Sequence, residues 1–229
     1  MNRLRSVLGR HSCTVAAIYL TLVGCVEAAT TVTQVRNFDL QTTAGSLDSS
    51  TLSFDRLNPS VGSVVGPVFA TLNSWYTYTA YLYAEPVGYG AFSASAEHRL
   101  DQKVLDANAN VFFSQTPVGG TLVCLGAAGA DDCSDGYLTF PTRFDSLAIV
   151  AASDIVGTGT YDMIAELLIP PLAATTDNAT IISATADGTW YGTIKLQYSY
   201  IPIPAALPLA GSSLLCLGVW MRRPRKAAA

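Results

Sequence analysis

At 229 residues the chain has room for one domain of ordinary size or two small ones. Half of its residues are hydrophobic, and its mean hydropathy of +0.32 is high for a soluble globular protein. The charges are segregated. Arg3, Arg5 and Arg10 lie near the start and Arg222, Arg223, Arg225 and Lys226 near the end, while from Arg36 to Lys195 six basic residues stand against sixteen acidic ones, a net charge of −10. That balance excludes nucleic-acid binding by the middle of the chain, because phosphate backbones require clustered Lys and Arg.

Residues 1–28 read as a secretory signal peptide with a signal helix. Three arginines precede an apolar run from Cys13 to Val26, the n-region and h-region of an export signal. Val26-Glu27-Ala28 places small or modest side chains at the −3 and −1 positions, which predicts cleavage after Ala28. Leu22-Val23-Gly24-Cys25 also fits a lipobox, in which Cys25 would be lipidated and become the new N-terminus.

From residue 29 to 200 the hydrophobic period is mostly two, the mark of β-strands rather than helices. The candidates in chain order are Thr31–Val35, Thr51–Asp55, Val61–Ala70, Trp75–Tyr83, Phe92–His98, Asn110–Ser114, Tyr137–Phe140, Leu147–Ala151, Met163–Leu168, Ile181–Thr185 and Gly192–Tyr200. Gly, Pro, Asn and Asp separate them at the spacing of a sandwich. Only Arg99–Asn108 carries a helical pattern. The expectation is a single antiparallel β-sandwich, jelly-roll-like, all-β, with a signal helix before it and a transmembrane helix after it.

Within Trp75–Tyr83, alternation puts Trp75, Thr77, Thr79, Tyr81 and Tyr83 on one face and Tyr76, Tyr78, Ala80 and Leu82 on the other. Both faces carry rings, so one row is available to stack on sugar rings, with Trp75, Tyr81 and Tyr83 as the stacking residues. Packing of those rings in the core is the competing expectation.

Cys13 and Cys25 fall in the signal and Cys216 in the tail, which leaves Cys124 and Cys133 to form a disulfide in an oxidising compartment. The pair brackets a Gly- and Ala-rich loop. Asp131, Asp132 and Asp135 cluster around the second cysteine. They are a weak calcium candidate, since their spacing departs from the Asp-x-Asp-x-Asp-Gly loop and a solvated acidic turn explains them better.

His98 is the sole histidine outside the signal. No Gly-x-Ser-x-Gly accompanies it and no second histidine offers a zinc site, so it reads as a strand-end surface residue. Glu85 and Glu97 are the one carboxylate pair proposed for hydrolysis, which requires them about 5–10 Å apart across a cleft. Gly157-Thr158-Gly159-Thr160 lacks the following Lys of a phosphate loop, and Asn178-Ala179-Thr180 is a formal glycosylation sequon. No cofactor is called for.

The C-terminal tail begins with Ile201-Pro202-Ile203-Pro204-Ala205-Ala206. An apolar run continues to Met221, and Arg222-Arg223-Pro224-Arg225-Lys226 follows. The stretch 205–221 is at the lower limit for spanning a bilayer. The basic end stays cytoplasmic by the positive-inside rule, placing the body outside the inner membrane.

These three parts, in this order over residues 201–229, resemble the PEP-CTERM family of sorting tails in its Val-Pro-Leu-Pro-Ala-Ala-like variant. Ile201 and Ile203 stand where related tails carry Val and Leu. The resemblance implies recognition and cleavage at residues 201–206 by an exosortase-like enzyme, with Arg222, Arg223, Arg225 and Lys226 as the basic stop. It also implies an inner-membrane intermediate, delivery to the cell surface or extracellular matrix of a Gram-negative bacterium, and an extracellular polysaccharide of a biofilm as neighbour. A second resemblance covers most of residues 30–200. Phe54–Val64, Asp154–Thr160 and Tyr198-Ser199-Tyr200 are similar to segments of choice-of-anchor E domains, surface ectodomains without established catalytic residues. Arg56 and Leu57 interrupt the first of these segments.

Overall fold

The computed structural model describes residues 28–203, so residues 1–27 of the proposed signal, Pro204–Ala206, the apolar run and the basic stop lie outside the described residues. Eleven strands and one short helix follow one another: β1 (Thr30–Thr43), β2 (Ser46–Asp55), β3 (Gly62–Pro86), β4 (Phe92–Asp106), β5 (Val111–Ser114), β6 (Val118–Gly126), β7 (Cys133–Leu138), β8 (Thr142–Val150), α1 (Ala152–Ile155), β9 (Thr160–Ile169), β10 (Ala173–Asp177) and β11 (Ala179–Pro202). No helix among the described residues is long and apolar enough to cross a membrane.

The strands form two sheets. In the first, the order runs β1-β11-β3, and β3 is completed on its far side by β8 along one stretch and β7 along another. In the second, β2 pairs β9. β9 and β10 flank one side of β4, and β5 and β6 flank the other. Every strand pairing is antiparallel. The described residues are thus an antiparallel all-β sandwich, the class that the period-two pattern predicts.

The core lies between the sheets because each strand buries every second side chain. On β3 the inward column is Val68, Ala70, Leu72, Ser74, Tyr76, Tyr78, Ala80, Leu82 and Ala84. β4, β9 and β11 answer with Ala94, Ala96, Leu100, Val104, Met163, Ala165, Leu167, Trp190, Ile194 and Leu196. Ser74 is tolerated there because its hydroxyl donates to the Phe144 carbonyl at 2.7 Å.

The two edges of the sandwich are closed differently. On one side the β1–β2 hairpin crosses between the sheets. Gln34 Nε2 there donates to the Asp55 carbonyl at 2.8 Å, Arg36 Nε to the Ser53 carbonyl at 2.6 Å, and Thr42 Oγ1 to the Ser46 carbonyl at 2.9 Å. On the opposite side Cys124 of β6 is bonded to Cys133 of β7, with Cα atoms 5.5 Å apart. The disulfide expected from the sequence is present, and it joins the two sheets as well as closing its own loop.

Several sequence readings are corrected. Arg99–Asn108 is not helical; residues 99–106 continue β4. Val61–Ala70 and Trp75–Tyr83 are parts of one 25-residue strand, and Ile181–Thr185 and Gly192–Tyr200 parts of one 24-residue strand. β11 also runs past Tyr200, so Ile201 and Pro202 pair with Ser63 and Gly62, and Ile203 N donates to the Val61 carbonyl at 2.8 Å. Strands β6 and β10 had no counterpart in the sequence reading.

Candidate functional site

The outward face of the first sheet carries the aromatic row. Alternation along β3 turns Trp75, Thr77, Thr79, Tyr81 and Tyr83 to solvent and buries Tyr76, Tyr78, Ala80 and Leu82. Trp75 is 38% and Tyr81 44% exposed. The register sets Tyr191 of β11 beside Trp75 on one side and Arg143 of β8 on the other. Trp75 and Tyr191 are nearly parallel, 20° between planes and 6.2 Å between centroids, and the Arg143 guanidinium lies 5.8 Å from the Trp75 ring. Neither Tyr191 nor Arg143 was singled out by sequence reading. Gly192 made the strand appear to begin one residue after Tyr191.

Tyr81 is held differently. Its partner on β7 is Gly136, and the Tyr81 ring edge comes within 3.7 Å of where a Gly136 Cβ would stand. A Cβ at this position would therefore meet the ring edge in ordinary van der Waals contact. Tyr83 shares its hydroxyl proton between Glu85 Oε1 at 3.1 Å and Asp132 Oδ2 at 3.2 Å. Desolvation and those two carboxylates push its phenol up to about 12.

The acidic cluster near the disulfide is not gathered around one point. Asp132 turns to Tyr83, while Asp135 accepts from Val123 N and Gly136 N, both at 2.8 Å, and so ties β7 to β6. Asp131 is exposed in the preceding loop. No group of three or more His, Cys, Asp or Glu among the described residues is placed to hold a metal ion. Glu85 and Glu97 are separated as well. Each points outward from a different sheet, so they stand on opposite surfaces of the sandwich and share no cleft. The hydrolase pairing is withdrawn.

His98 contradicts the surface reading most plainly, being only 5% exposed. It sits on the inward face of β4, with Nδ1 3.1 Å from the Tyr78 hydroxyl and its ring 4.9 Å from that of Tyr137. Burial lowers its pKa, partly opposed by the Asp135 carboxylate, and burial together with Tyr137 pushes Tyr78 up to about 12. Tyr78 therefore keeps its proton and shares a hydrogen bond with a neutral imidazole. Because the folded state disfavours His98 protonation, its contribution to stability is complete above the unfolded value of about 6.5 and is lost as pH falls below it. Between pH 7.5 and 5 the unfolding free energy should fall, and the thermal midpoint with it, by at most about 1.4 kcal/mol per pH unit from this group. His98→Gln should flatten that slope; an unchanged slope in the variant would assign the effect elsewhere.

A shallow groove of about 500 Å³ lies on the outer face of the second sheet, lined by Glu97, Arg99, Pro117, Thr121, Pro170 and Pro171. Arg99 is engaged by Asp101 at 2.7 Å. Asn178, of the formal sequon, occupies the turn before β11 with φ of 51°, and Thr160 opens β9 behind Gly157 and Gly159.

No protein-family model matches the sequence, and no curated protein does. Among solved structures the chain is similar to three from infectious bursal disease virus: a Gx strain structure (9% identity, TM-score 0.20), a mutant VP2 protein in T=1 particles (9%, 0.24) and a VP2 subviral particle (8%, 0.24). Those matches cover 77%, 80% and 80% of this chain and 41%, 42% and 44% of the viral chains. At such TM-scores the likeness carries no argument.

Proposed function

We propose that the chain is an exported, non-enzymatic bacterial envelope protein. In this reading a jelly-roll-like, choice-of-anchor E-like sandwich lies between a signal helix and a C-terminal transmembrane helix, and an exosortase-type enzyme processes the tail. The observation that carries this reading is the order of a Pro-containing motif, an apolar run and a basic stop between Ile201 and Lys226. Ile201–Ile203 are held against β3, so an enzyme that recognises residues 201–206 must first draw this strand end away from Gly62 and Ser63. Thr30 pairs with Tyr200, so both ends of the sandwich leave from the same end. A second reading, a carbohydrate-binding module using its aromatic strand face, is favoured by the exposure of Trp75 and Tyr81.

The test is the mass of the protein recovered from the native cell envelope, wild type against a Pro202→Ala, Pro204→Ala double variant. Loss of the signal and of everything beyond about Ala206, with the variant left full-length in the inner membrane, is the expected result. Mature wild-type protein that retains Arg222–Ala229 would reduce the tail to a simple anchor.

A further inference from the structure

We infer that the outer face of the first sheet is a linear track for an extended, electrically neutral polysaccharide, running along β3 from Trp75 to Tyr83. This deepens the second reading above and rests on it. The outward residues of β3 are aromatic at the two ends, Trp75 at one and Tyr81 and Tyr83 at the other, with Thr77 and Thr79 between. Register supplies the second lane from β11: Tyr191, Thr189, Asp187, Thr185 and Ser183 lie beside Trp75, Thr77, Thr79, Tyr81 and Tyr83 in turn. Eight residue steps at about 3.3 Å make the track roughly 26 Å long, room for several sugar units in line.

The chemistry of the lane selects the occupant. A pyranose offers an apolar C–H face to a ring and hydroxyls around its rim, so it needs aromatics interleaved with short polar side chains. That is the composition here: Tyr81 paired across the strands with Gly136, and hydroxyls at Thr79, Thr185, Ser183 and Ser134 around it. The Thr77 and Thr189 hydroxyls hydrogen-bond each other at 2.6 Å, which ties the two lanes together at the middle of the track. Arg143, the cation beside Trp75, is ion-paired with Asp145, so charge works against anionic polymers. Asp187 lies within the track, and Glu85 with Asp132 closes its far end; the region between the two basic ends is strongly acidic. The face is open rather than pocketed, so a single sugar finds few contacts and a polymer gains by repetition.

The experiment uses the full chain in detergent micelles, mixed with microcrystalline cellulose, curdlan and chitin, and run in native gels containing alginate. Retention on at least one neutral polymer, no retardation by alginate and no competition by free glucose are expected. Tyr81→Ala and Trp75→Ala should each weaken retention about tenfold or more, with thermal midpoints near wild type. Tyr89→Ala, on an exposed loop outside the track, should leave retention unchanged. No retention on any neutral polymer, retention equal in the track variants, alginate retardation, or a change of association state in place of retention would each overturn the inference. The readout is independent of tail processing, so its failure would leave the envelope mass result untouched, and the reverse holds.

Discussion

Replacing Trp190 by alanine is expected to cost about 3–5 kcal/mol, enough to lower the thermal midpoint of a sandwich of this size by roughly 6–20 °C. Trp190 is fully buried at the middle of β11. It meets Phe38 of β1 edge to face, with centroids 4.7 Å apart, and Phe144 of β8 with centroids 6.5 Å apart. The residue thus connects β1, at one edge of the first sheet, with β8 on the far side of β3. Truncation leaves a cavity that extended strands on either side cannot close, because strand spacing is set by the backbone ladder. Trp190→Phe separates two contributions. The indole Nε1 has no hydrogen-bond partner among the described residues, and an unpaired buried donor costs about 1–3 kcal/mol. Phenylalanine removes that donor while keeping most of the ring, so the two effects offset and the midpoint should shift far less than in the alanine variant. Urea or thermal unfolding of the three proteins decides it. A phenylalanine variant as unstable as the alanine one would show that indole shape, and not ring burial alone, holds this layer.

Removing the disulfide as Cys124→Ala with Cys133→Ala should cost about 2–3 kcal/mol, the value for constraining a loop of this length in the unfolded chain. The loss should be felt locally first. Cys124 and Cys133 sit on β6 and β7, the strands that close one edge of the sandwich, and Asp135 adds the bond to Val123 N beside them. The opposite edge is continuous chain through the β1–β2 hairpin. Amide exchange in β6 and β7 should therefore accelerate in the double variant while β1 and β2 stay protected. Uniform acceleration over all strands would mean that the bond acts only on the unfolded state.

Much of the candidate face was legible before any pairing was known. The run Trp75–Tyr83 has no strand breaker, and backbone geometry forces successive side chains to opposite faces, so its two columns follow from order alone. The errors arose where polar residues occupy inward positions. On β4 the buried column passes through His98, Leu100, Gln102 and Val104. With two polar residues in it, the remaining Leu100, Val104 and Leu105 mimic a helical spacing, and the strand read as a helix. Ser74 broke β3 in the same way, because its hydrogen bond to Phe144 is invisible without β8 beside it. His98 looked like a surface residue for want of Tyr78 and Tyr137, which reach it from another sheet.

What the order of residues determined by itself is the all-β class, the alternation of faces and the composition of the β3 lane, each a consequence of local backbone geometry. Tertiary structure alone decided that Tyr191 and Arg143 flank Trp75, that Gly136 pairs with Tyr81, that the disulfide joins two sheets, and that Glu85 and Glu97 face apart. Those are matters of register between strands distant in sequence, and register is set by which buried columns can pack together.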